Sequence, residues 1–332
     1  MKTAYRKLLP LALALVLALC VAACGGTNPG SGAGSSTSLP SGAPSSDASP
    51  SGGASQSASV VDEGGVRTIS TVMGDVEVPA NPQRVIVHYL MGDVAALGVT
   101  PVGVSEVHAG AAFEAAVAGA ENLGSWDFDM EAVMALEPDL IITVNEGQYE
   151  ELSKIAPTVM VPYGTMTTEE RVGFVAQVLG REDAGAQVMA EYNAKVAQGR
   201  TQLQAAGIEG ASVTILQVHD NGTNVAGDKH ALGVLVYGEL GLVPPEMVQS
   251  EIIDADAYWA QPSMEVLADY CGDMIIHLGQ MQEVLADNGV WNAIPAVQNG
   301  YIMEADTALT YYTDILSSGV LVDTVVEKLT QF

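Results

Sequence analysis

Short apolar runs alternate with turn residues and amphipathic segments from Val66 onward. Two runs, residues 67–73 and 76–78, flank Gly74 and Asp75, a pair that is typical of a hairpin turn. Further along, the pattern predicts buried strands at residues 84–88, 101–104 and 139–144 and helices at residues 91–97 and 130–136. Strands that alternate with helices indicate a parallel sheet that is covered on both faces.

One stretch of this pattern occurs twice. Residues 129–142 (DMEAVMALEPDLII) align with residues 263–276 (SMEVLADYCGDMII), and five of the 14 aligned pairs are identical. Both copies predict a helix, a turn and a buried strand, and they lie in corresponding halves of the chain. We therefore expect two α/β lobes, formed by residues 66–180 and residues 207–332.

The segment between the two halves predicts a bridge. Residues 181–206 contain no proline and carry apolar side chains at helical spacing. A helix of this length spans roughly 35–40 Å, which is enough to connect two lobes. The expected fold is therefore α/β, with two Rossmann-like lobes that each have a central, mostly parallel sheet, joined by one long α-helix, and with a ligand cleft between them. A single rigid bridge predicts a small hinge motion.

The N-terminal region has the pattern of a signal peptide followed by a lipidation site. Three basic residues precede about 12 apolar residues, a length that suits a signal peptide and is too short to span a bilayer as a helix. The run ends in Val-Ala-Ala-Cys24, which resembles the lipobox of bacterial lipoproteins. That resemblance implies a signal peptide at residues 1–23, a lipid on Cys24 and attachment to the extracytoplasmic face of the cell membrane.

The residues that follow Cys24 differ sharply in composition from the rest. Residues 24–65 are rich in Gly, Ser, Ala and Pro and have almost no aliphatic content until their last few positions. Such a segment buries too little apolar surface to offset the entropy of ordering it, so it predicts a disordered tether. Of the three cysteines, Cys20 leaves with the signal peptide and Cys24 is lipidated, so Cys271 has no partner for a disulfide.

Charge and motif content exclude several functions. Forty Asp and Glu residues stand against 12 Lys and Arg residues, for a formal net charge of −28. This balance disfavours nucleic acid as a partner, because phosphates require a basic surface. The patterns of serine hydrolases, zinc proteases and P-loop nucleotide-binding proteins are absent, which argues against an enzyme. Five scattered histidines do not favour direct capture of zinc or manganese.

Four segments together carry a family resemblance. They are VPANPQRVIV (residues 78–87), LGVTPVGV (97–104), LEPDLII (136–142) and WNAIPAVQNG (291–300). In these segments the chain resembles the substrate-binding lipoproteins of ABC importers, in the class with one long interdomain helix that serves ferric siderophores, cobalamin and haem. The resemblance extends over residues 66–332.

Three more segments narrow the resemblance to receptors for ferric hydroxamate siderophores. They are LGVLVYGELGLVPP (residues 232–245), Ala257-Tyr-Trp259 with Ser263-Met-Glu265, and Tyr311-Tyr-Thr-Asp314. The resemblance implies a receptor with no permanently bound cofactor, in which iron(III) is present only as the siderophore chelate. Cobalamin and haem receptors of the same fold remain alternatives, and haem would need an axial ligand such as His88, Tyr89 or Tyr312.

The same family resemblance implies a partner in the membrane. In this family the Glu of each repeated helix lies at the outer tip of its lobe and pairs with Arg residues of a dimeric permease. The matching positions in this chain are Glu131 and Glu265. Two exposed carboxylates on two similar lobes suit a partner with two-fold symmetry, and such charges set orientation and association rate more than affinity. The receptor itself is expected to be a monomer.

Ligands in such folds bind where the strand ends of the two lobes face each other. Aromatic rings can cover the organic part of a chelate, and His, Asn, Asp and Tyr can hydrogen-bond its polar atoms. The candidates at these positions are His88, Tyr89, His108, Trp126, Asn145, His219, Asp220, Tyr258, Trp259, His277, Tyr311 and Tyr312.

Positive charge near the predicted cleft is sparse. The cations nearest in sequence to strand ends or loops are Arg84, Lys154, Arg171 and Lys229, and they form no cluster in the sequence. Because ferric catecholates are trianionic, the sequence favours a neutral or cationic hydroxamate chelate. No arginine is assigned to the cleft, although many hydroxamate receptors use one.

Overall fold

A computed structural model describes residues 65–219, 222–281, 285 and 287–332. The predicted signal peptide, Cys24, nearly all of the predicted tether and Asp220 lie outside these residues. Within the described ranges, no helix combines the length and the apolar character that crossing a membrane requires.

The fold begins with a hairpin of β1 (Val66–Thr71) and β2 (Gly74–Pro79). Its turn is Val72-Met73, because Thr71 pairs with Gly74 and Ser70 pairs with Asp75. The predicted turn at Gly74-Asp75 is therefore wrong by two residues, and Gly74 instead supplies a positive φ of 102° at the start of β2.

The N-terminal lobe contains a five-stranded sheet in which every pairing is parallel. Its spatial order is β5-β4-β3-β6-β7. The strands are β3 (Val85–Val87), β4 (Gly103–Val104), β5 (Glu121–Asn122), β6 (Leu140–Thr143) and β7 (Thr158–Met160). The helices of this lobe are α1 (Met91–Ala96), α2 (Glu114–Val117), α3 (Met130–Ala135), α4 (Tyr149–Leu152) and α5 (Thr168–Leu179). The predicted strands and helices of this lobe are present, each slightly shorter than predicted.

The C-terminal lobe contains a mixed five-stranded sheet with the order β10-β9-β8-β11-β12. β8, β11 and β12 are parallel, whereas β9 and β10 extend the sheet as antiparallel strands. The strands are β8 (Val213–His219), β9 (Gly222–Ala226), β10 (Trp259–Ala260), β11 (Met274–Leu278) and β12 (Ile302–Ala305). The helices after the bridge are α7 (Ala231–Gly233), α8 (Glu246–Val248), α9 (Pro295–Gln298), α10 (Thr307–Thr310) and α11 (Ile315–Leu329).

The two copies of the sequence repeat form different helices. Residues 130–135 of the first copy form the α-helix α3, whereas Met264–Tyr270 of the second copy form a 3₁₀ helix. π-helical turns follow α7 at Val234–Glu239 and α8 at Gln249–Ile253. The two lobes therefore share a βα plan and differ in the geometry of their connections.

The long bridging helix is α6 (Glu182–Ala205). Two glycines let it approach both lobes closely. A Cβ at Gly185 would lie 2.6 Å from Ala176 of the N-terminal lobe, and a Cβ at Gly199 would lie 2.9 Å from Val326 of α11. The two ends of α6 thus pack against different lobes, which agrees with the predicted bridge.

A second connection crosses between the lobes after β12. Tyr312 lies in the hydrophobic core of the N-terminal lobe, next to Phe113. Asp314, the N-cap of α11, packs so closely against α1 that a Cβ at Gly92 would lie 1.7 Å from its Oδ1 atom. Contacts therefore join the lobes at this crossing as well as along α6.

Candidate functional site

A cavity of about 960 Å³ lies between the lobes. This volume is at the upper end of the range for pockets that bind organic ligands. The side chains that line it include, from the N-terminal lobe, Tyr89, Trp126, Tyr163, Thr168 and Arg171, and, from the C-terminal lobe, Gln217, Lys229, His230, Tyr258, Trp259 and Tyr311.

Tyr89 is one of the aromatic residues of the N-terminal wall. It follows β3 with a φ of 68°, a conformation that is uncommon for a residue other than glycine and that often occurs at functional sites. Its backbone N–H donates to Ser105 Oγ at 3.0 Å, and its hydroxyl donates to the carbonyl of Tyr311 at 2.6 Å. Burial is the main cause of a strongly raised pKa for the Tyr89 hydroxyl, so it remains protonated.

Trp126 is held at the rim by two residues behind it. Asn145 donates from Nδ2 to the Trp126 carbonyl at 2.9 Å and accepts the Gly147 N–H at 2.9 Å. The His88 ring packs edge-on against the Trp126 ring, with centroids 4.9 Å apart. Burial lowers the pKa of His88 to about 4, so this ring is neutral.

Arg171, on α5, supplies a buried cation at the cavity. It is 4% exposed, and its Nε donates to Asp93 Oδ2 at 2.8 Å. Burial opposes the charged form, but the neighbouring Asp93 outweighs it, and the pKa of Arg171 is raised. The other oxygen of Asp93 accepts the Ile315 N–H at 2.8 Å, so this pair also fixes the start of α11. Arg171 lines the cavity, whereas the sequence assigned no arginine to it.

A second buried carboxylate, Asp314, completes this cluster. Its Oδ1 accepts the N–H groups of Leu316 and Ser317, and its Oδ2 accepts the Ser317 hydroxyl at 2.7 Å. Burial, followed by repulsion from Asp93, raises the pKa of Asp314 to about 6. One guanidinium therefore balances one of two neighbouring carboxyl groups.

The C-terminal wall is aromatic. The His230 ring lies 5.0 Å from the Trp259 ring and 5.9 Å from the Tyr258 ring, and Tyr258 and Trp259 contact each other at 5.0 Å. β10 begins at Trp259, which pairs with Ala226 of β9, so the antiparallel extension of the sheet brings these rings to the cavity. Trp259 and Tyr258 keep 36% and 45% of their surface exposed, which leaves ring area free for a ligand.

The cations that the described residues contribute to the cavity lining already have carboxylate partners. Arg171 and Lys229 are the basic residues of the lining, and Asp228 and Glu239 are the acidic ones. Lys229 also pairs with Asp256, with Nζ 2.6 Å from Oδ1. Both cations were among the four that the sequence placed near strand ends or loops, and each pairs with a carboxylate outside the lining, so they offer little positive charge to a ligand.

The structure sorts the predicted ligand residues into three groups. Five line the cavity, namely Tyr89, Trp126, Tyr258, Trp259 and Tyr311. Four lie behind the lining and contact it or one another, namely His88, His108, Asn145 and Tyr312. Two, His219 and His277, are hydrogen-bonded within the C-terminal sheet.

The residues behind the lining have structural partners. Tyr312 accepts the His108 N–H at 3.0 Å and donates to the Glu106 carbonyl at 3.1 Å. The His108 ring packs 4.3 Å from the Tyr311 ring. In the C-terminal sheet, His277 Nε2 accepts the Val218 N–H, so its Nδ1 donates to the Gly279 carbonyl. Both nitrogens of His277 are therefore used by the backbone, which explains why this strand-end histidine is unavailable to a ligand.

The sequence interpretation missed several lining residues. Tyr163 follows β7 in the way that Tyr89 follows β3, and the strand-end rule could have selected it. Thr168 and Arg171 lie in the first turn of α5, whose capping box of Thr167 and Glu170 is visible in the sequence. His230 has no comparable signal, because its position depends on the antiparallel pairing of β9 and β10.

Glu131 and Glu265 are both exposed. Glu131 lies in the first turn of α3, after the Asp129 N-cap, and Glu265 lies in the 3₁₀ helix that starts at Met264. Each comes five or six residues after the tryptophan that its lobe contributes to the cavity. Each carboxylate is thus carried by the second residue of the helix that its copy of the repeat forms. In the described part of the chain, no group of three or more His, Cys, Asp and Glu side chains could hold a metal ion.

Comparisons with known proteins agree with this architecture. The family described as periplasmic binding protein (Peripla_BP_2) matches residues 90–309. The iron(3+)-hydroxamate-binding protein FhuD of Bacillus subtilis (strain 168) is 31% identical over 288 residues, which cover 82% of this chain and 90% of that protein. The iron(3+)-hydroxamate-binding protein YxeB of the same organism is 26% identical over 304 residues, covering 82% of this chain and 88% of the relative.

A solved structure has the same fold. The FhuD fold-family protein BSU3320 from Bacillus subtilis, described as a periplasmic binding protein component of a ferrichrome ABC transporter, superposes with a TM-score of 0.71. It is 27% identical in sequence, and the match covers 80% of this chain and all of that protein.

Proposed function

The chain belongs to the periplasmic binding protein family, and on this premise we propose that it is the extracytoplasmic substrate-binding protein of an ABC importer. Its proposed substrate is a ferric siderophore, of the neutral or cationic hydroxamate type, which it delivers to the permease. The relatives are named as iron-hydroxamate-binding proteins, which supports the substrate class and favours binding without turnover. In this proposal iron(III) enters only as part of the chelate.

The observation that carries the proposal is the lining of the cavity between the lobes. Aromatic rings from both lobes provide apolar contact area for the organic part of a chelate. The two cations of the lining, Arg171 and Lys229, already pair with Asp93 and Asp256, so neither is free to compensate an anionic ligand. A complex of one iron(III) with three monoanionic hydroxamates is neutral, whereas a ferric tris-catecholate carries three negative charges. Burying those three negative charges here would cost free energy, because the cavity has no unpaired cations to compensate them among the described residues.

Tryptophan fluorescence tests this proposal directly, because Trp126 and Trp259 line the cavity. The third tryptophan, Trp291, is 3% exposed in the C-terminal core. We expect ferrichrome and ferrioxamine to quench the emission at low ligand concentration, and ferric enterobactin to quench it only weakly. A Trp126→Phe, Trp259→Phe variant keeps Trp291 and should lose most of the quenching. Quenching by haem or cobalamin alone would contradict the siderophore assignment.

The haem alternative receives less support from the geometry. Of the three side chains considered as axial ligands, Tyr89 lines the cavity, whereas His88 and Tyr312 lie behind the lining and are 2% and 1% exposed. The Tyr89 hydroxyl already donates to the Tyr311 carbonyl. If Tyr89 coordinated the haem iron, its hydrogen bond to the Tyr311 carbonyl would have to break.

Docking to a dimeric permease is proposed through Glu131 and Glu265. Both are exposed, and each is the second residue of the helix formed by its copy of the repeat. Glu131→Arg combined with Glu265→Arg should abolish uptake of the chelate while leaving its affinity for the isolated protein unchanged. A matched control reverses two other exposed glutamates, Glu191→Arg on α6 and Glu327→Arg on α11. Normal uptake by the first double variant would contradict the docking proposal.

We also propose attachment to the membrane through a lipid on Cys24, with the receptor acting as a monomer. Support for the anchor comes from the lipobox-like sequence before Cys24. Cys24→Ala should release the protein from the cell surface and prevent its labelling with a radioactive fatty acid. Retention of the variant on washed cells would contradict the anchor.

A further inference from the structure

His230 occupies an unusual position in the aromatic wall. It lies between β9 and α7, is 7% exposed and lines the cavity beside Trp259 and Tyr258. Among the described residues that line the cavity it is the histidine, and the sequence motifs did not point to it.

The hydrogen bond at one ring nitrogen determines what the other can do. His230 Nδ1 accepts the N–H of Leu232 at 3.2 Å and thereby caps α7. A nitrogen that accepts carries no proton, so in the neutral ring the proton is on Nε2. Burial lowers the pKa of His230 to about 4, which keeps the ring neutral at physiological pH.

Nε2 is therefore a fixed donor. No hydrogen bond to it is formed by any residue in the described ranges, and it is not among their buried polar atoms that lack a partner. Because the residue lines the cavity, the accessible Nε2 faces either water or a ligand there.

We propose that His230 determines specificity by donating its Nε2–H to an uncharged oxygen acceptor of the chelate, such as a hydroxamate or amide carbonyl, and so selects hydroxamate chelates over polycarboxylate ones. This inference rests on the proposed function. A neutral donor satisfies a carbonyl oxygen fully, whereas it leaves a carboxylate without a counter-charge. A site built around one donor also discriminates strongly, because an unmatched ligand leaves that donor buried and unpaired.

Two substitutions of similar shape test the roles of the two ring nitrogens of His230 separately. His230→Asn keeps an acceptor close to the position of Nδ1, so it preserves the cap of α7 and removes the donor. His230→Gln extends an amide N–H toward the position of Nε2 and preserves the donor. His219→Asn makes the same chemical change in the C-terminal sheet, outside the cavity, and serves as the control.

The affinities of these variants for ferrichrome and for ferric citrate provide the test. We expect His230→Asn to bind ferrichrome about tenfold or more weakly, which is the loss of one hydrogen bond in a buried site. Ferric citrate should bind with unchanged or higher affinity, because it gains nothing from this donor, so that the selectivity falls by at least the same factor. His230→Gln should recover most of the ferrichrome affinity, and unfolding of His230→Asn should match that of the unmodified protein.

Two other outcomes would contradict, respectively, the role of His230 and the proposed function. Unchanged ferrichrome affinity in His230→Asn, or an equal loss for both chelates, would overturn the role of His230 in specificity. A protein with unmodified sequence that binds neither ferrichrome nor ferrioxamine would instead overturn the proposed function. The two failures are therefore distinguishable.

Discussion

The two lobes present different chemistry to the same cavity. The N-terminal wall rests on buried charge, because Arg171 pairs with Asp93 at a site that is almost completely enclosed. The C-terminal wall is a group of rings around Trp259, and its ion pair between Lys229 and Asp256 is exposed. Both lobes thus supply aromatic contact area, and the N-terminal lobe adds a buried ion pair that the described residues of the C-terminal lobe lack.

This difference follows from the sheets. Every strand of the N-terminal sheet is parallel, so each strand end delivers its next residue to the same edge, as with Tyr89 after β3. In the C-terminal sheet, β9 and β10 run antiparallel at the edge, and their connection carries His230 and Tyr258 to the cavity as a group. The ends of the parallel strands each place one side chain at the cavity, whereas the antiparallel edge of the C-terminal sheet places a group of rings there.

Removal of the buried cation should produce the largest effect. Arg171→Leu leaves the Asp93 carboxylate buried without its counter-charge, so we expect the free energy of unfolding to fall by about 3–5 kcal/mol. Lys229→Leu removes the cation of an exposed pair and should cost less than about 1 kcal/mol. Chemical denaturation of both variants measures the contrast. Similar losses for the two substitutions would show that the lobes do not differ in this way.

Asp314→Asn tests the same buried cluster through pH. Since the pKa of Asp314 is raised from 3.8 to about 6, folding favours the protonated carboxyl, and that stabilisation is complete below about pH 4 and lost as pH rises past 6. Asn imitates the protonated form at every pH and can still accept the N–H groups of Leu316 and Ser317. Between pH 4 and pH 8 the variant should therefore gain up to about 3 kcal/mol relative to the unmodified protein. Unfolding curves across this range measure the difference, and a difference that does not vary with pH would contradict the raised pKa.

The sequence predicted the elements of the fold well where local patterns determine them. The bridging helix was expected at residues 181–206 and forms at Glu182–Ala205, because apolar spacing and the absence of proline act along one segment. The hairpin turn was misplaced because Gly74 has a positive φ within the strand pairing rather than within the turn. A glycine in the sequence indicates a residue with positive φ, but it does not indicate whether that residue lies in the turn or in the adjoining strand.

The site was predictable only in part, for a different reason. Tyr89 could be selected because it follows a predicted strand, and Trp259 because it lies in a segment that carries the family resemblance. Arg171 pairs with Asp93, which is 78 residues away, and Asp314 reaches the same cluster through the crossing after β12. Such contacts depend on how the lobes are assembled, so no local pattern reports them. Strand-end position alone also failed to identify ligand-binding histidines. His277 was predicted to contact the ligand, but both of its ring nitrogens form hydrogen bonds with the backbone.

The aromatic wall predicts an asymmetry in affinity for ferrichrome. Trp259 is held by contacts with His230 and Tyr258, so its ring is fixed before a ligand arrives, and Trp259→Ala should weaken binding about tenfold. Trp126 is more exposed, at 48% against 36%, and Trp126→Ala should weaken binding by a smaller factor, about threefold. Isothermal titration with each variant provides the comparison. A larger loss for Trp126→Ala would place the main apolar contact on the N-terminal wall instead.

A modest loss of stability is expected at Glu239, where the two walls meet. Its Oε1 accepts the Thr168 hydroxyl of the N-terminal lobe at 2.9 Å, and its Oε2 accepts the Tyr192 hydroxyl of the bridging helix. In Glu239→Gln one oxygen becomes an amide N–H₂, but either hydroxyl can turn to accept from it, so charged hydrogen bonds are exchanged for neutral ones at a cost of about 1 kcal/mol. Glu246→Gln, at an exposed glutamate, should be neutral. A loss at Glu239 that equalled the loss from Arg171→Leu would mean that this junction, rather than the buried cluster, holds the lobes together.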